Sequence, residues 1–176
     1  MIIRYTCALV LGVLLSSGAA AQEASEYQVK AAFLYNFAKF VEWPPEAFKS
    51  PSDPIVIAVL GKNPFGTLLA EEVAGKTLLG RPFQVREVTN AQQASGCQIV
   101  FVSSSERKRL GALFTLIGKS AVLTVGETDN FAAEGGIINF KIDAGSVRLQ
   151  INVGAARRQQ IRISAKLLSL AEIVEK

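Results

Sequence analysis

No histidine occurs in the 176 residues, cysteine appears twice, and methionine and tryptophan once each. Without histidine there is no Ser-His-Asp or Cys-His nucleophile pair, no HExxH zinc motif and no use of the commonest metal ligand. Two cysteines cannot build a soft-metal cage within one chain. They also have no route to an intramolecular disulfide, because Cys7 falls in a segment expected to be removed and leaves Cys97 alone. Cys97 leads into the apolar run Gln98 to Val102 and reads as a small buried hydrophobe. No apolar run reaches the roughly 20 residues needed to cross a bilayer. Neither charge sign dominates, with 19 basic against 15 acidic residues. The basic side chains are scattered apart from Arg107-Lys108-Arg109 and Arg157-Arg158, so no stripe for nucleic acid is present. Internal repeats, low-complexity segments and domain-dividing linkers are missing as well.

The first 21 residues have the three-part build of a secretory signal: Arg4, the apolar run Cys7 to Leu15, and the small residues Ala19-Ala20-Ala21. Cys7 opens the apolar run instead of following it, which argues against a lipoprotein signal. The chain is therefore expected to be exported to the periplasm, with residues 1–21 as a cleavable signal peptide and residues 22–176 as one domain with one core.

Six aromatic residues crowd into the stretch Tyr27 to Pro44. Ser25 is the expected N-cap of a helix that ends at Trp43-Pro44-Pro45, since proline cannot continue it. Val29, Phe33, Phe37 and Phe40 form its core stripe, with Tyr27 and Leu34 on a side left for contact, and Lys30, Asn36, Lys39 and Glu42 as polar relief. Ile55 to Leu60 reads as a strand buried on both faces. Asn63-Pro64 suggests the start of a helix through Leu68, Leu69 and Val73. Phe83 to Val88, Ile99 to Val102 and Ala121 to Val125 read as strands, with a helix over Ser105 to Ile117. Asp143-Ala144-Gly145 turns between Ile137–Lys141 and Val147–Ile151, a hairpin. Ile163, Leu167, Leu170 and Val174 predict a closing helix from about Val153 to Glu175. The order implies an α/β fold: a single three-layer domain, its mainly parallel sheet flanked by helices, with a C-terminal antiparallel hairpin and closing helix.

Motifs for chemistry are sparse. Gly61-Lys62-Asn63-Pro64-Phe65-Gly66 follows a strand and opens a helix, but Thr67 and Leu68 stand where a phosphate loop needs Lys and then Ser or Thr, so it reads as a plain turn. Glu71-Glu72, Glu127, Asp129, Glu134 and Asp143 read as solvated carboxylates rather than an acid/base dyad. Gly135-Gly136 marks a turn or a close backbone approach. No cofactor and no metal site is implied.

VKAAFLYNFAKFVEWP at 29 to 44, FAAEGGIINF at 131 to 140, VRLQIN at 147 to 152 and ISAKLLSLA at 163 to 171 together resemble the YfiR family of periplasmic proteins. The resemblance implies a domain without catalytic activity, a repressor or adaptor in cyclic di-GMP signalling. Such a protein binds the periplasmic part of an inner-membrane sensor protein, a diguanylate cyclase or sensor kinase, and restrains it; an outer-membrane lipoprotein is a further implied partner. The family's best-known member carries disulfide-forming cysteine pairs, whereas Cys97 has no partner, so redox gating by an intramolecular disulfide is not expected. Trp43, Phe131, Glu134 and Asn152 are the expected partner-binding residues, placed at element ends within these motifs. A homodimer is left open. A second reading is a small-ligand sensor whose crevice at the carboxyl ends of the parallel strands takes an amino acid or a nucleotide-like anion.

Overall fold

The computed structural model describes residues 17–174; the run Cys7 to Leu15, on which the signal-peptide expectation rests, lies outside the described residues. In chain order the elements are α1 (Ser17–Phe40), β1 (Val41–Glu42), β2 (Ile55–Leu60), α2 (Leu68–Val73), β3 (Thr77–Leu78), β4 (Arg81–Val88), α3 (Ala91–Ala94), β5 (Ile99–Val102), α4 (Leu110–Ile117), β6 (Leu123–Gly126), β7 (Ile138–Asp143), β8 (Ser146–Asn152), α5 (Val153–Arg158), β9 (Arg162–Ile163), α6 (Ala165–Leu168) and β10 (Ala171–Val174). A single 3-10 turn, Pro45–Ala47, separates β1 from β2, and a longer one, Ser104–Arg109, leads into α4.

Eight strands form one sheet in the order β10-β8-β7-β6-β5-β2-β4-β3. The block β7-β6-β5-β2-β4 is parallel throughout, as is β10 with β8, while β7 with β8 and β3 with β4 run antiparallel. The branched run of β2 explains its central place, because its residues alternate between two buried faces. Ile55, Ile57 and Val59 join a core with Leu34 and Phe37 of α1 and Leu69 of α2. Val56, Ala58 and Leu60 join a second core with Leu110, Leu113 and Ile117 of α4. The sheet is thus covered on both faces, which is the setting parallel strands require. Beyond β2 the chain returns to one side through β4 and crosses to the other side through β5, so β2 and β5 flank a topological switch point.

Three expectations change on inspection. The helix α1 begins well before Ser25 and continues through it. Its buried stripe is Ala31, Leu34, Phe37 and Ala38, continued by Val41 of β1, while Val29 is 42% exposed. Two alanines let the helix axis approach the sheet, and the larger Phe33 and Phe40 then pack along the flanks. The second change is at Asn63, whose Oδ1 accepts from the Phe65 N–H at 2.8 Å in a local turn, so that α2 starts only at Leu68. The third is the closing helix, which does not exist as one element. After α5 the chain stops in a Schellman arrangement: the Ile161 N–H donates to the Ala156 carbonyl at 2.9 Å and the Gln160 N–H to the Arg157 carbonyl at 3.0 Å, with Gln160 at φ 57. Ser164 caps the short α6, and β-branched Ile173 and Val174 then extend as an edge strand beside β8. The predicted helical face was a coincidence of spacing, since Leu170 is 65% exposed.

The hairpin of β7 and β8 matches expectation, with Asp143 opposite Ser146. Ala144 and Gly145 have φ 47 and 76, the two left-handed residues of a tight hairpin turn that follows the strand twist.

Candidate functional site

The site arises from a step in the sheet. Gly126, the last residue of β6, pairs with Asn139, so Phe140 to Asp143 of β7, paired only with β8, run on past the carboxyl ends of β5 and β6. The overhang of four residues amounts to about 13 Å of strand. The middle of α1, from Glu26 to Lys30, lies across the same end. Between them opens a cavity of about 720 Å³.

Glu127, the first residue after β6, is its electrostatic centre. Lys30 of α1 donates to Glu127 Oε2 at 2.8 Å, Tyr27 donates through its hydroxyl to the same oxygen at 3.2 Å, and the Ser104 N–H donates to Oε1 at 3.3 Å. Lys30 also pairs with Glu26 one turn earlier, and its ammonium stands 4.6 Å from the centre of the Tyr27 ring. Lys30 is 3% exposed, so this is a buried ion pair with its remaining valences filled by hydrogen bonds. Burial, and next the Glu127 carboxylate, push the Tyr27 phenol well above its ordinary value of 10.0.

The far wall is built from cross-strand neighbours. Asn139, Gln150 and Glu172 stand in one row across β7, β8 and β10. Gln150 Nε2 donates to Glu172 Oε2 at 3.0 Å, and Asn139 Nδ2 donates to Gln150 Oε1 at 3.2 Å. Asn139 and Thr128 line the cavity, but Asn139 Oδ1 and Thr128 Oγ1 are themselves enclosed, out of reach of solvent, and have no hydrogen-bond partner. Among the described residues no group of three His, Cys, Asp or Glu side chains is placed to hold a metal ion.

The loop that carries Thr128 is pinned by Phe131. Its ring meets Phe114 edge to face at 5.4 Å and lies against Gly126 and Gly136, where any Cβ would overlap it. This explains the glycine that follows Gly135 in physical terms: it makes room for a ring.

Sequence-predicted residues fall in different places. Phe131 and Asn152 are both fully enclosed. Asn152 Oδ1 accepts from the Ala155 N–H at 2.8 Å as the cap of α5, and its Nδ2 donates to the Ala132 carbonyl at 2.7 Å. In this conformation neither offers a surface; both hold the loop and helix that adjoin the site. Glu134 is exposed and lines a separate cavity of about 290 Å³ with Arg158 and Gln159. Trp43 is half-buried at the opposite end of the sheet, where its Nε1 donates to the Gln98 carbonyl at 3.1 Å and its ring meets Phe48 edge to face at 6.4 Å. The four are therefore not one constellation. Leu34, assigned to a contact side, is fully buried. Lys30, Glu127, Thr128 and Asn139 were not predicted. Their one visible signal was polarity inside apolar runs, Lys30 within α1 and Asn139 within Ile137 to Phe140. Cys97 is buried as expected, its thiol pushed up by burial against a smaller opposing pull from Arg86.

The sequence profile of the YfiR/HmsC-like family matches residues 27–172. The chain belongs to the YfiR/HmsC-like family. The match spans the four sequence stretches that carried the resemblance. No helix among the described residues is long and apolar enough to cross a membrane. A comparison with curated proteins found no match. Among solved structures, this YfiR/HmsC-like chain is similar to a conserved domain protein from Vibrio cholerae O1 biovar El Tor, at 11% identity and a TM-score of 0.58. It is also similar to an ABC domain in complex with L-Trp from Streptococcus pneumoniae, at 12% identity and a TM-score of 0.54. In each case 85% of this chain matches 60% of the other, so the chain spans less than two thirds of their length. At such identities the likeness shows the fold alone.

Proposed function

We propose that the protein restrains a membrane-bound component of cyclic di-GMP signalling, a diguanylate cyclase or a sensor kinase, by binding its periplasmic part. The observation that carries this reading is the family match across residues 27–172, which takes in α1 from Tyr27 onward and the sheet as far as Glu172. Regulation by occupancy needs only differential binding to two states of the partner. An outer-membrane lipoprotein that competes for the same surface would release the restraint. Trp43, with Pro44 and Pro45 at the amino ends of the strands, offers the kind of rigid aromatic edge that anchors protein interfaces.

The test is to delete the protein and to overproduce it while measuring cyclic di-GMP. Deletion should raise the nucleotide and overproduction should lower it. In parallel, the purified protein should bind the isolated periplasmic domain of the controlled partner. Cyclic di-GMP levels indifferent to both manipulations would refute the restraint.

A further inference from the structure

β6 stops early beside β7, at Gly126 opposite Asn139. The chain that follows leaves the sheet: Glu127 is drawn to Lys30 and Ser104, and Phe131 enters the core on the face away from α1. The lane along which β6 would have continued is the cavity, lined by Phe140 to Ile142 of β7 on one side and by Ser104, beyond the end of β5, on the other.

Along that lane the backbone of β7 is only half used. The Asn152 N–H donates to the Ile137 carbonyl at 2.8 Å, which sets the phase of the antiparallel pairing. Residues 139, 141 and 143 then exchange hydrogen bonds with β8, and residues 138, 140 and 142 turn their N–H and C=O groups the other way. Ile138 meets β6 there. Ile142 meets no strand; it lines the cavity and is 46% exposed, so the register turns both its donor and its acceptor to the lane. A donor and an acceptor on one residue of a strand edge are the complement of another extended backbone. Length and side-chain order agree with that. The overhang of about 13 Å holds about four extended residues. Ile142 stands on the same face as Phe140, whose ring packs against Phe33 and Phe37 of α1, and Lys141 stands on the opposite face. An entering strand would thus meet an apolar and a charged neighbour in turn. Charge narrows the occupant further: Glu26, Glu127 and Asp129 outnumber Lys30 and Lys141 around the lane, and Lys30 is already paired with Glu26 and Glu127.

We propose that the lane beside β7 receives an extended, neutral or basic segment of about four residues from a partner protein, added as a strand against Ile142. The surface lies at the opposite end of the sheet from Trp43, and the proposal does not depend on restraint of a membrane partner.

Amide hydrogen exchange tests it first on the protein alone. The Ile142 N–H should exchange at least tenfold faster than those of Lys141 and Arg148, which pair with each other. Capped hexapeptides in which Val alternates with Lys, with Ser or with Glu are then titrated in. The Lys or the Ser peptide should bind saturably, shift amides at residues 127–130 and 139–143, and slow exchange at Ile142 at least tenfold. N-methylation of every second peptide amide should abolish binding in one phase and spare it in the other, the signature of pairing along a single edge. Ile142→Pro removes the free N–H without touching a bond to β8 and should weaken binding at least tenfold; if that variant fails to fold, the methylated peptides decide. The proposal is overturned if the Ile142 N–H of the free protein is as protected as its neighbours, or if no peptide binds up to about 10 mM. It is equally overturned if the Glu peptide binds best, if both methylated peptides bind alike, or if the shifted amides lie elsewhere.

Discussion

Lys30 sits on a helix face that otherwise reads as apolar, yet it is nearly sealed from water and held by two carboxylates. Removing one member of such a pair leaves the other charge buried and poorly solvated. Glu127→Ala should therefore destabilise the protein by about 2–4 kcal/mol, while Lys30→Met combined with Glu127→Leu should recover much of the loss. Urea denaturation of Lys30→Met, Glu127→Leu and the double variant measures the coupling. Asn152 belongs to the same scale. Asn152→Ala removes the cap of α5 and strands the Ala132 carbonyl, a loss of about 2–4 kcal/mol. The sequence marked Asn152 as important but not why, because an amide that caps a helix and one that meets a partner look alike in a string of letters. Lys30 was hidden for the converse reason: its counter-ion Glu127 is 97 positions away, and no local pattern announces a pairing made by the fold.

At the scale of elements, what could be read was whatever local physics decides. The strands β2, β5 and β6 are apolar runs, and the hairpin turn is marked by Gly145. The closing helix was misread because its stop is a glutamine. Gln160 takes the left-handed conformation that glycine usually fills, at a cost of about 1 kcal/mol. Gln160→Gly should therefore raise the melting temperature, read by calorimetry, against the general rule that glycine destabilises. Gly136→Ala should act in the opposite sense. The added methyl meets the Phe131 ring, which is wedged against Phe114, so the loop bearing Thr128 must shift; overpacking of this kind costs about 1–3 kcal/mol. Thermal denaturation and the amide spectrum of residues 127–136 would both register it. The cavity was only partly legible, because it depends on strands of unequal length side by side, a property of register that no single strand displays.

Across the whole molecule, α1 runs from the cavity, at Tyr27 and Lys30, to the opposite end of the sheet near Trp43. Stability as a function of pH integrates groups from both ends. Cys97 and Tyr27 hold their protons more tightly when folded, so their contribution is complete below the ordinary values of 9.0 and 10.0 and is lost as pH rises through that range. Asp53 behaves in the reverse sense. Its carboxylate accepts from the Ser50 hydroxyl and from the Lys49 and Ser50 N–H groups, which lower its pKa beneath the ordinary 3.8, so its contribution holds above that value and fades as pH falls. Melting temperature should be flat between about pH 5 and pH 8 and decline on both sides; Cys97→Ala should delay the alkaline decline. The row of side chains from Glu172 to Asn139 gives the last strand an influence that reaches past its own edge. A chain cut short of Glu172 would keep both layers of its core but lose the anchor that tells two successive amides which way to face. Anything that peels or trims the final strand would thereby free the amides two strands away to turn over, with every letter of that wall unchanged.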